Sequence, residues 1–255
     1  MLKKILFIFL ILASLSSCVS RKEIVYMSDV DMNKPIFSSS IEPILEPNDL
    51  LSIVVAAENP ELTAQFNLPQ MQSTSYEVSK GQANIKTYLI DYLGFIDYPV
   101  LGKVKLGGLT KSAANKLLVD KISEYFKNPS VNMAIINFKV SVLGEVSSNR
   151  SINVLSERIT ILEALSQAGD LTIYGRRDNV LVIREENGKK SYNRINLTNS
   201  NFMSSDFYYL KQNDLIYVEP NKTKINGAKI GPSTGLILSI GSILLTISFF
   251  IINRK

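Results

Sequence analysis

The sequence predicts an α+β protein whose chain ends in a single transmembrane helix. Short β-branched and apolar runs bounded by turn residues recur from about Leu50 to Val218, a pattern typical of strands. Two helical stretches with capping residues interrupt these runs. Residues 231–252 are uncharged and, as a helix rising ~1.5 Å per residue, match the ~30 Å core of a bilayer. A buried helix is the alternative, but such a helix rarely lacks charge on every face.

The chain begins with a segment typical of export signals. Lys3 and Lys4 precede a short apolar run that is too short to cross a membrane. The run ends at Leu15-Ser16-Ser17-Cys18, which resembles the lipobox of bacterial lipoproteins. We therefore expect Cys18 to be lipidated and to become the N-terminus; the alternative is a plain secretory signal with an incidental cysteine. Val19 follows, and by resemblance to known sorting rules the protein goes to the outer membrane with its soluble part in the periplasm.

Composition excludes several classes of function. The chain has no His and one Cys, which excludes zinc sites built from Cys or His, Ser-His-Asp triads and any disulfide within the chain. The net charge of +5 becomes +3 without Lys3 and Lys4, which is too weak and too dispersed for nucleic-acid binding. We therefore predict a protein that is not an enzyme and that has no catalytic residue, no cofactor and no metal site.

The acidic and aromatic residues that stand out have structural interpretations. Asp91 and Asp97 lie at a turn, where acids are usually solvated. Glu145, at a strand end, is expected to form hydrogen bonds or to lie in an interface. Tyr208 and Tyr209 have the shape to stack on sugar rings, but we favour packing in the core or between subunits, because they precede a buried strand.

The first half of the folded part combines strands with one long helix. Turn and cap residues are Asn48-Asp49 before the first strand, Thr110 at the start of the helix and Asn128-Pro129 at its end. The predicted elements are strands at 50–55, 85–90 and 100–106, a helix at 110–127, and one long or two short strands at 131–142.

The second half places one short helix among strands. Thr160 and Glu163 have the spacing of a capping box, and Gly169 stops the helix. Strands are predicted at 152–155, 179–184, 192–197 and 213–218, with a hairpin turn at 187–188. Asn48-Asp49 and Asn213-Asp214 share a turn-then-strand pattern, for which duplication and convergent turn chemistry are equal alternatives.

The predicted membrane helix has one face of small and polar residues. At ~100° per residue, a narrow stripe is formed by Gly235, Ser239, Ser242, Thr246 and Asn253. This face either lets helices pack closely or lines a water-filled pore in a ring of identical helices. Both interpretations need partner helices and predict a homo-oligomer, and the helix alone favours close packing.

Several motifs, in order, resemble the Wza-type outer-membrane polysaccharide export proteins. Ile44 to Val55 is similar to the start of that family's export domain, with Glu46-Pro47-Asn48-Asp49 where the family usually has Gly-Pro-Gly-Asp. Asp91 to Thr110 matches the ribbon that follows and the start of the next helix. Asn128-Pro129-x-Val131 matches the entry to the next strand.

The residues that follow resemble one soluble-ligand-binding β-grasp module (SLBB). Val142 to Val146 and Thr160 to Leu171 match its usual motifs, although Asn149-Arg150 stands where most members have Pro-Gly. Leu210 to Pro220 matches the closing strand, again with Asn in place of Gly. Longer members of the family carry two such modules.

The resemblance implies a transport function. Family members form a ring, commonly an octamer, whose C-terminal helices make an α-helical barrel through the outer membrane. This resemblance favours the interpretation that the stripe lines a pore. The predicted function is an outer-membrane lipoprotein channel for capsular polysaccharide or exopolysaccharide, with an inner-membrane polysaccharide co-polymerase or tyrosine kinase as partner. The alternative is a membrane-anchored periplasmic adaptor that binds glycan or an assembly partner without forming a pore.

These patterns divide the chain into segments. They are a signal peptide at 1–17, an extended tether at 18–43, an export domain at 44–137, a β-grasp module with the closing strand at 138–220, a linker at 221–230, a transmembrane helix at 231–252 and a tail at 253–255.

Overall fold

The computed structural model describes residues 21–31, 33, 42–67, 87–186, 188–229, 239–244, 246–247 and 250 of the 255-residue chain. Most of these residues fold around two hydrophobic cores. We call residues 42–136 the first module and residues 137–221 the second module. Sheets with few helices build both modules, which confirms the α+β prediction in its coarse form.

The strands and helices fall into two groups along the chain. In the described part of the first module they are β1 (Leu50–Ala56), α1 (Pro60–Thr63), β2 (Tyr88–Leu89), β3 (Phe95–Tyr98), β4 (Gly102–Lys105), α2 (Lys111–Ile122) and β5 (Ser130–Ile135). The second group is β6 (Lys139–Gly144), β7 (Arg150–Asn153), β8 (Ile159–Thr160), α3 (Ile161–Gln167), β9 (Gly175–Glu186), β10 (Lys189–Ile195), β11 (Tyr209–Leu210), β12 (Leu215–Pro220) and α4 (Lys222–Lys229).

A three-stranded antiparallel sheet, in the order β2-β1-β5, carries the core of the first module. Alternate residues of β1 point into that core, as expected for a sheet that is covered on one face. Helix α2 covers this face through Ala114, Leu118 and Ile122. It begins after the predicted cap Thr110 but ends at Ile122, before the predicted end at Lys127. Ser123, the next residue, bonds back to the carbonyl oxygen of Val119.

The second module is built on a five-stranded sheet in the order β10-β9-β12-β6-β7. Strands β6 and β12 are parallel neighbours, and the other pairs are antiparallel. Gly144 ends β6 with φ of +102°, and a Cβ there would lie 2.1 Å from the carbonyl oxygen of Val218. A side chain at this position would therefore push the two parallel strands apart.

Local signals in the second module gave the helix start correctly and the strand lengths poorly. Thr160 and Glu163 form the predicted capping box at the start of α3. Strands β9 and β10 differ in extent from the predicted 179–184 and 192–197. The first residues of β9 are charged, which hides the alternation of apolar residues expected for a strand. In the structure Arg176 pairs with Asp178 and with Glu219 of β12.

The N-terminal segment is not an extended tether over the residues described. Arg21–Glu23 form a 3₁₀ helix, and the turns that follow pack on the second module. Met27 N donates to the carbonyl oxygen of Leu197 at 2.9 Å, and the hydroxyl of Tyr26 bonds to Asp170. Isolated apolar residues in a polar stretch gave no periodic signal, so the sequence did not predict this docking.

The predicted membrane helix falls largely outside the described residues, as does Cys18. Residues 239–244 are helical, and so are the described positions 246–247 and 250. Within the part of the chain that the structure describes, no helix is both long enough and apolar enough to cross a membrane.

A buried ion pair joins β9 to the turn before β12. Arg184 is 4% exposed and Asp214 is 0% exposed. Arg184 Nη2 lies 2.7 Å from Asp214 Oδ2, and Arg184 Nε lies 3.0 Å from Oδ1. The guanidinium also donates to the carbonyl oxygens of Asp206 and Tyr209, so this pair ties the β10–β11 connection to the sheet.

We expect Arg184→Met to lower the free energy of unfolding by ~3–5 kcal/mol, because Asp214 would remain buried without its cation. The matched control is Arg176→Met, in which a half-exposed arginine loses its pairs with Asp178 and Glu219 and should cost less than ~1 kcal/mol. Urea unfolding of the purified chain measures both. Equal losses in the two variants would contradict this assignment.

Candidate functional site

Two turns with the same geometry begin β1 and β12. Asn48 and Asn213 have positive φ angles of 72° and 63°. In each turn the following aspartate accepts a hydrogen bond through Oδ2 from the backbone N–H three residues earlier, at 2.8 Å for both Asp49 and Asp214. The similarity of the two sequence segments therefore extends to backbone and side-chain geometry.

The two aspartates differ in their electrostatic surroundings. Asp214 is neutralised by Arg184, whereas no described residue donates a hydrogen bond to the buried Oδ1 of Asp49. Burial raises the pKa of Asp49 from 3.8 to about 6, and the hydrogen bond from Glu46 N only partly opposes this. Burial, followed by the charge of Asp49, also raises the pKa of Glu46.

One amide side chain, that of Asn137, connects the modules beside these turns, and a second, that of Gln212, holds the backbone at Asn137. Asn137 accepts from Leu50 N at 2.9 Å and donates to the carbonyl oxygen of Asn48 at 2.9 Å. Gln212 accepts from Lys139 N at 2.8 Å and donates to the carbonyl oxygen of Asn137 at 2.9 Å. The start of β1 and the start of β6 are therefore fixed relative to each other by side-chain bonds.

A small cleft lies at this junction. It has a volume of about 80 Å³ and is lined by residues of both modules, including Glu46, Asp49, Phe138, Tyr209 and Lys211. Its walls are mostly apolar. Among the described residues, no cluster of His, Cys, Asp and Glu side chains is arranged to hold a metal ion.

The outer face of the first module's sheet carries no charge over the described strands. Register pairs Leu50 with Leu89, Ser52 with Ala134 and Val54 with Asn132. Val54 is 54% exposed and Leu89 is 55% exposed. An uncharged sheet face with exposed aliphatic side chains is a candidate surface for protein contacts.

Three of the acidic and aromatic residues noted in the sequence, Asp91, Glu145 and Tyr208, have structural roles. Asp91 Oδ1 accepts from Leu93 N and Phe95 N, which holds the turn before β3. Glu145 accepts from the hydroxyl of Thr172 at 2.9 Å. Tyr208 packs against the hydrophobic core of the second module, which confirms the packing interpretation for this residue.

The described residues of the C-terminal stripe lie on helical turns. The hydroxyl of Ser242 donates to the carbonyl oxygen of Ser239 at 2.8 Å, and the hydroxyl of Thr246 donates to the carbonyl oxygen of Ser242 at 2.8 Å. Gly235 and Asn253 lie outside the described residues, as does the predicted lipidation site Cys18. The hydroxyls are satisfied by their own helix, which suits either a lumen or a packed neighbour.

Comparison with known proteins identifies the first module. Residues 39–136 match the family described as polysaccharide biosynthesis/export protein. We call this segment the export domain, after the family that it matches. The match covers β1 to β5 with helix α2, and it confirms the resemblance to the Wza-type export proteins.

Two curated relatives are similar over a longer part of the chain. The EPS I polysaccharide export outer membrane protein EpsA of Ralstonia solanacearum is 26% identical over 196 residues, which are 74% of this chain and 51% of the relative. The protein of the same name from Ralstonia nicotianae is 25% identical over 211 residues, or 79% of this chain and 54% of the relative. The chain thus spans about half the length of these relatives. Their names describe export and no reaction, in line with the prediction that the chain is not an enzyme.

The sequence did not reveal Asn137 as the residue that joins the export domain to the second module, or Gln212 as the residue that holds its backbone. Asn137 interrupts the apolar run 131–142, which was predicted to be one or two strands. That polar interruption was the available signal for a break. Its partners lie 87 and 89 residues away in the chain, so no local pattern indicates them.

We expect the stability difference between wild type and Asp49→Asn to depend on pH. Because the folded-state pKa of Asp49 is raised from 3.8 to about 6, its contribution to stability is fully present below about pH 4 and is lost as pH rises through about 6. The variant cannot ionise at this position. It should therefore gain up to ~3 kcal/mol relative to wild type between about pH 4 and pH 7.5.

Thermal unfolding of the purified chain, followed by circular dichroism at both pH values, measures this gain. The control is the exposed Asp120→Asn on α2, which should follow the wild type at both pH values. A constant difference between Asp49→Asn and wild type across this range would rule out a raised pKa.

Proposed function

We propose that the chain is an outer-membrane lipoprotein that assembles into a ring-shaped channel for export of capsular polysaccharide or exopolysaccharide. The observation that carries this proposal is the export domain at residues 39–136, together with relatives that are named polysaccharide export outer membrane proteins. The cargo is then the polysaccharide, and an inner-membrane polysaccharide co-polymerase or tyrosine kinase is the proposed partner.

The second module is proposed to be a β-grasp module of the SLBB type. Its parallel neighbours β6 and β12, with α3 between them in the chain, support this assignment. The Gly144 position, which would bring a Cβ against β12, gives a physical reason for the glycine in its Leu-Gly-Glu-Val motif.

Ring assembly needs a lateral surface on each copy. The uncharged outer face of the export domain's sheet exposes aliphatic side chains, and removing them from water in a contact would be favourable. A closed ring uses heterologous contacts, in which this face meets a different surface of the next copy. Class averages of the detergent-purified protein, viewed along the symmetry axis, test the ring, and a monomer would favour the adaptor without a pore.

Membrane attachment is proposed to begin at Cys18. Acylation there would hold the protein firmly only if more than one chain is attached, because a single acyl chain binds membranes marginally. We expect Cys18→Ser to lose incorporation of labelled palmitate and to retain the uncleaved segment 1–17. Radioactive or clickable palmitate on the Ser variant would refute lipidation at this residue.

The stripe on the proposed spanning helix is proposed to face a wet lumen. Ser239→Cys and Ser242→Cys should then react with membrane-impermeant thiol reagents in intact outer membranes. Ile240→Cys and Ile247→Cys, on other faces of the same helix, are the matched controls and should not react. Equal protection of all four positions would assign the stripe to dry helix packing.

Charge tests the stripe in energetic terms. Ser242→Asp should be tolerated in a wet lumen, although a ring of like charges has some cost. Ile243→Asp would place a charge against lipid or a packed neighbour, at a cost of at least ~2.5 kcal/mol per helix. Membrane fractionation of the two variants measures the difference, and equal loss from the membrane would favour a simple anchor.

A further inference from the structure

The β7–β8 loop, residues 154–158, brings charged side chains of the second module to the export domain. Glu157 pairs with Lys111, the first residue of α2. The next residue, Arg158, is exposed, and its guanidinium carbon lies 5.1 Å from the centre of the Tyr209 ring. Among the described residues, no carboxylate lies within ion-pair distance of Arg158. The junction therefore carries a cation that no acid of the described chain neutralises directly.

The cleft at the junction places this cation beside an unpaired acid. Arg158 and Tyr209 line the cleft from the second module, whereas Glu46 and Asp49 line it from the export domain. Asp49 is 1% exposed, and no described residue donates a hydrogen bond to its Oδ1. The cleft volume of about 80 Å³ has room for roughly five water molecules, and thus for a guanidinium group.

The second Asn-Asp turn shows how an arginine fits such an aspartate. Arg184 donates from Nε to Asp214 Oδ1 at 3.0 Å and from Nη2 to Oδ2 at 2.7 Å. Its guanidinium carbon also lies 4.4 Å from the centre of the Phe207 ring. Because the two turns share their backbone and side-chain geometry, a guanidinium in the cleft could meet Asp49 in the same way. Tyr209, which lines the cleft, would supply the neighbouring ring.

The other charged groups around Asp49 already have partners or share its sign. Lys211 pairs with Glu186, and Arg184 neutralises Asp214. The remaining charged residues that line the cleft are the acids Glu42, Glu46 and Asp206. The carboxylate of Glu42 accepts from Ser112 N, and burial, followed by the charge of Asp49, raises the pKa of Glu46. Among the described residues of the cleft, Arg158 is therefore the cation still available to Asp49.

The charge of Asp49 decides which contact of Arg158 is favoured. Burial raises the pKa of Asp49 to about 6, so this carboxyl ionises near neutral pH, where folded proteins are usually stable. A buried carboxylate without a cation is strongly unfavourable, whereas an exposed contact between a cation and an aromatic ring is weak. Ionisation of Asp49 therefore favours movement of Arg158 away from Tyr209 and towards the carboxylate.

We propose that Arg158 is a pH-dependent clamp between the two modules, which lies over Tyr209 when Asp49 is protonated and pairs with Asp49 in the cleft when Asp49 is ionised. The pair ties the β7–β8 loop to the turn before β1, so it adds an ionic link to the one between Lys111 and Glu157. The clamp closes as the pH rises and opens as the pH falls. It is a property of the single chain and does not depend on the proposed ring or on its cargo.

Nuclear magnetic resonance of the full chain, labelled at arginine and held in uncharged detergent micelles, follows this movement. Protons above an aromatic ring resonate upfield of their usual position, so the δ-protons of Arg158 report its contact with Tyr209. Their signal is assigned by its absence from Arg158→Gln. Wild type and Asp49→Asn are titrated between about pH 4 and pH 8. The matched control is Asp120→Asn, at an exposed position of α2.

We expect the upfield shift in wild type to disappear as the pH rises, with a midpoint near the Asp49 pKa of about 6. Asp49→Asn should keep the shift throughout, whereas Asp120→Asn should follow the wild type. In Arg158→Gln the proton affinity of Asp49, read from its carboxyl carbon signal, should rise ~tenfold or more. Arg150→Gln, which removes an exposed arginine bonded to Ser148, should leave that affinity unchanged.

A wild-type shift that does not change with pH would overturn the proposal, and this result needs no variant. A transition that persists in Asp49→Asn would also overturn it, because Glu46 or Asp206 would then attract Arg158. So would an unchanged proton affinity of Asp49 in Arg158→Gln. Circular dichroism verifies that each variant is folded.

Discussion

Two amide side chains hold the junction between the export domain and the second module through four hydrogen bonds. Asn137 bonds to the backbone of residues 48 and 50, and Gln212 bonds to the backbone of residues 137 and 139. Each amide uses both its donor and its acceptor, so the first residues of β1 and β6 have little freedom to rotate apart. The start of β6 therefore keeps a fixed position beside the start of β1.

The paired turns beside the junction illustrate the limit of local chemistry. The sequence predicts both turns from Asn-Asp, and both form with the same side-chain bond. Yet Asp214 meets the guanidinium of Arg184, while no described residue donates a hydrogen bond to Asp49 Oδ1. Charge on the first turn therefore has a cost that the second turn avoids, and that difference comes from the residues packed above each turn rather than from the turns themselves.

The predictions that succeeded used signals within a few residues. Thr110, Thr160 and Glu163 identified the helix starts, and apolar runs identified β1 and β5. Strand β3 at Phe95–Tyr98 was not predicted, because the turn residues around it hide its short alternation. The docking of Tyr26 and the bonds of Asn137 escaped because their partners are 87 residues away or more. Strand β9 was predicted too short because its first residues are charged. The pairing of Arg176 with Asp178 and with Glu219 of β12 makes those charges compatible with a sheet.

The edges of the second module limit how copies can meet. Strand β10 ends the sheet on one side with Lys189, Lys190 and Arg194, and the short β7 ends it on the other with Arg150. Charged residues on edge strands oppose the addition of another strand, so neighbouring copies are not expected to continue this sheet. The export domain, by contrast, presents an uncharged sheet face on which Val54 and Leu89 are exposed. If copies assemble side by side, the apolar part of their contact therefore belongs to the export domain, and the charged edges of the second module lie outside it.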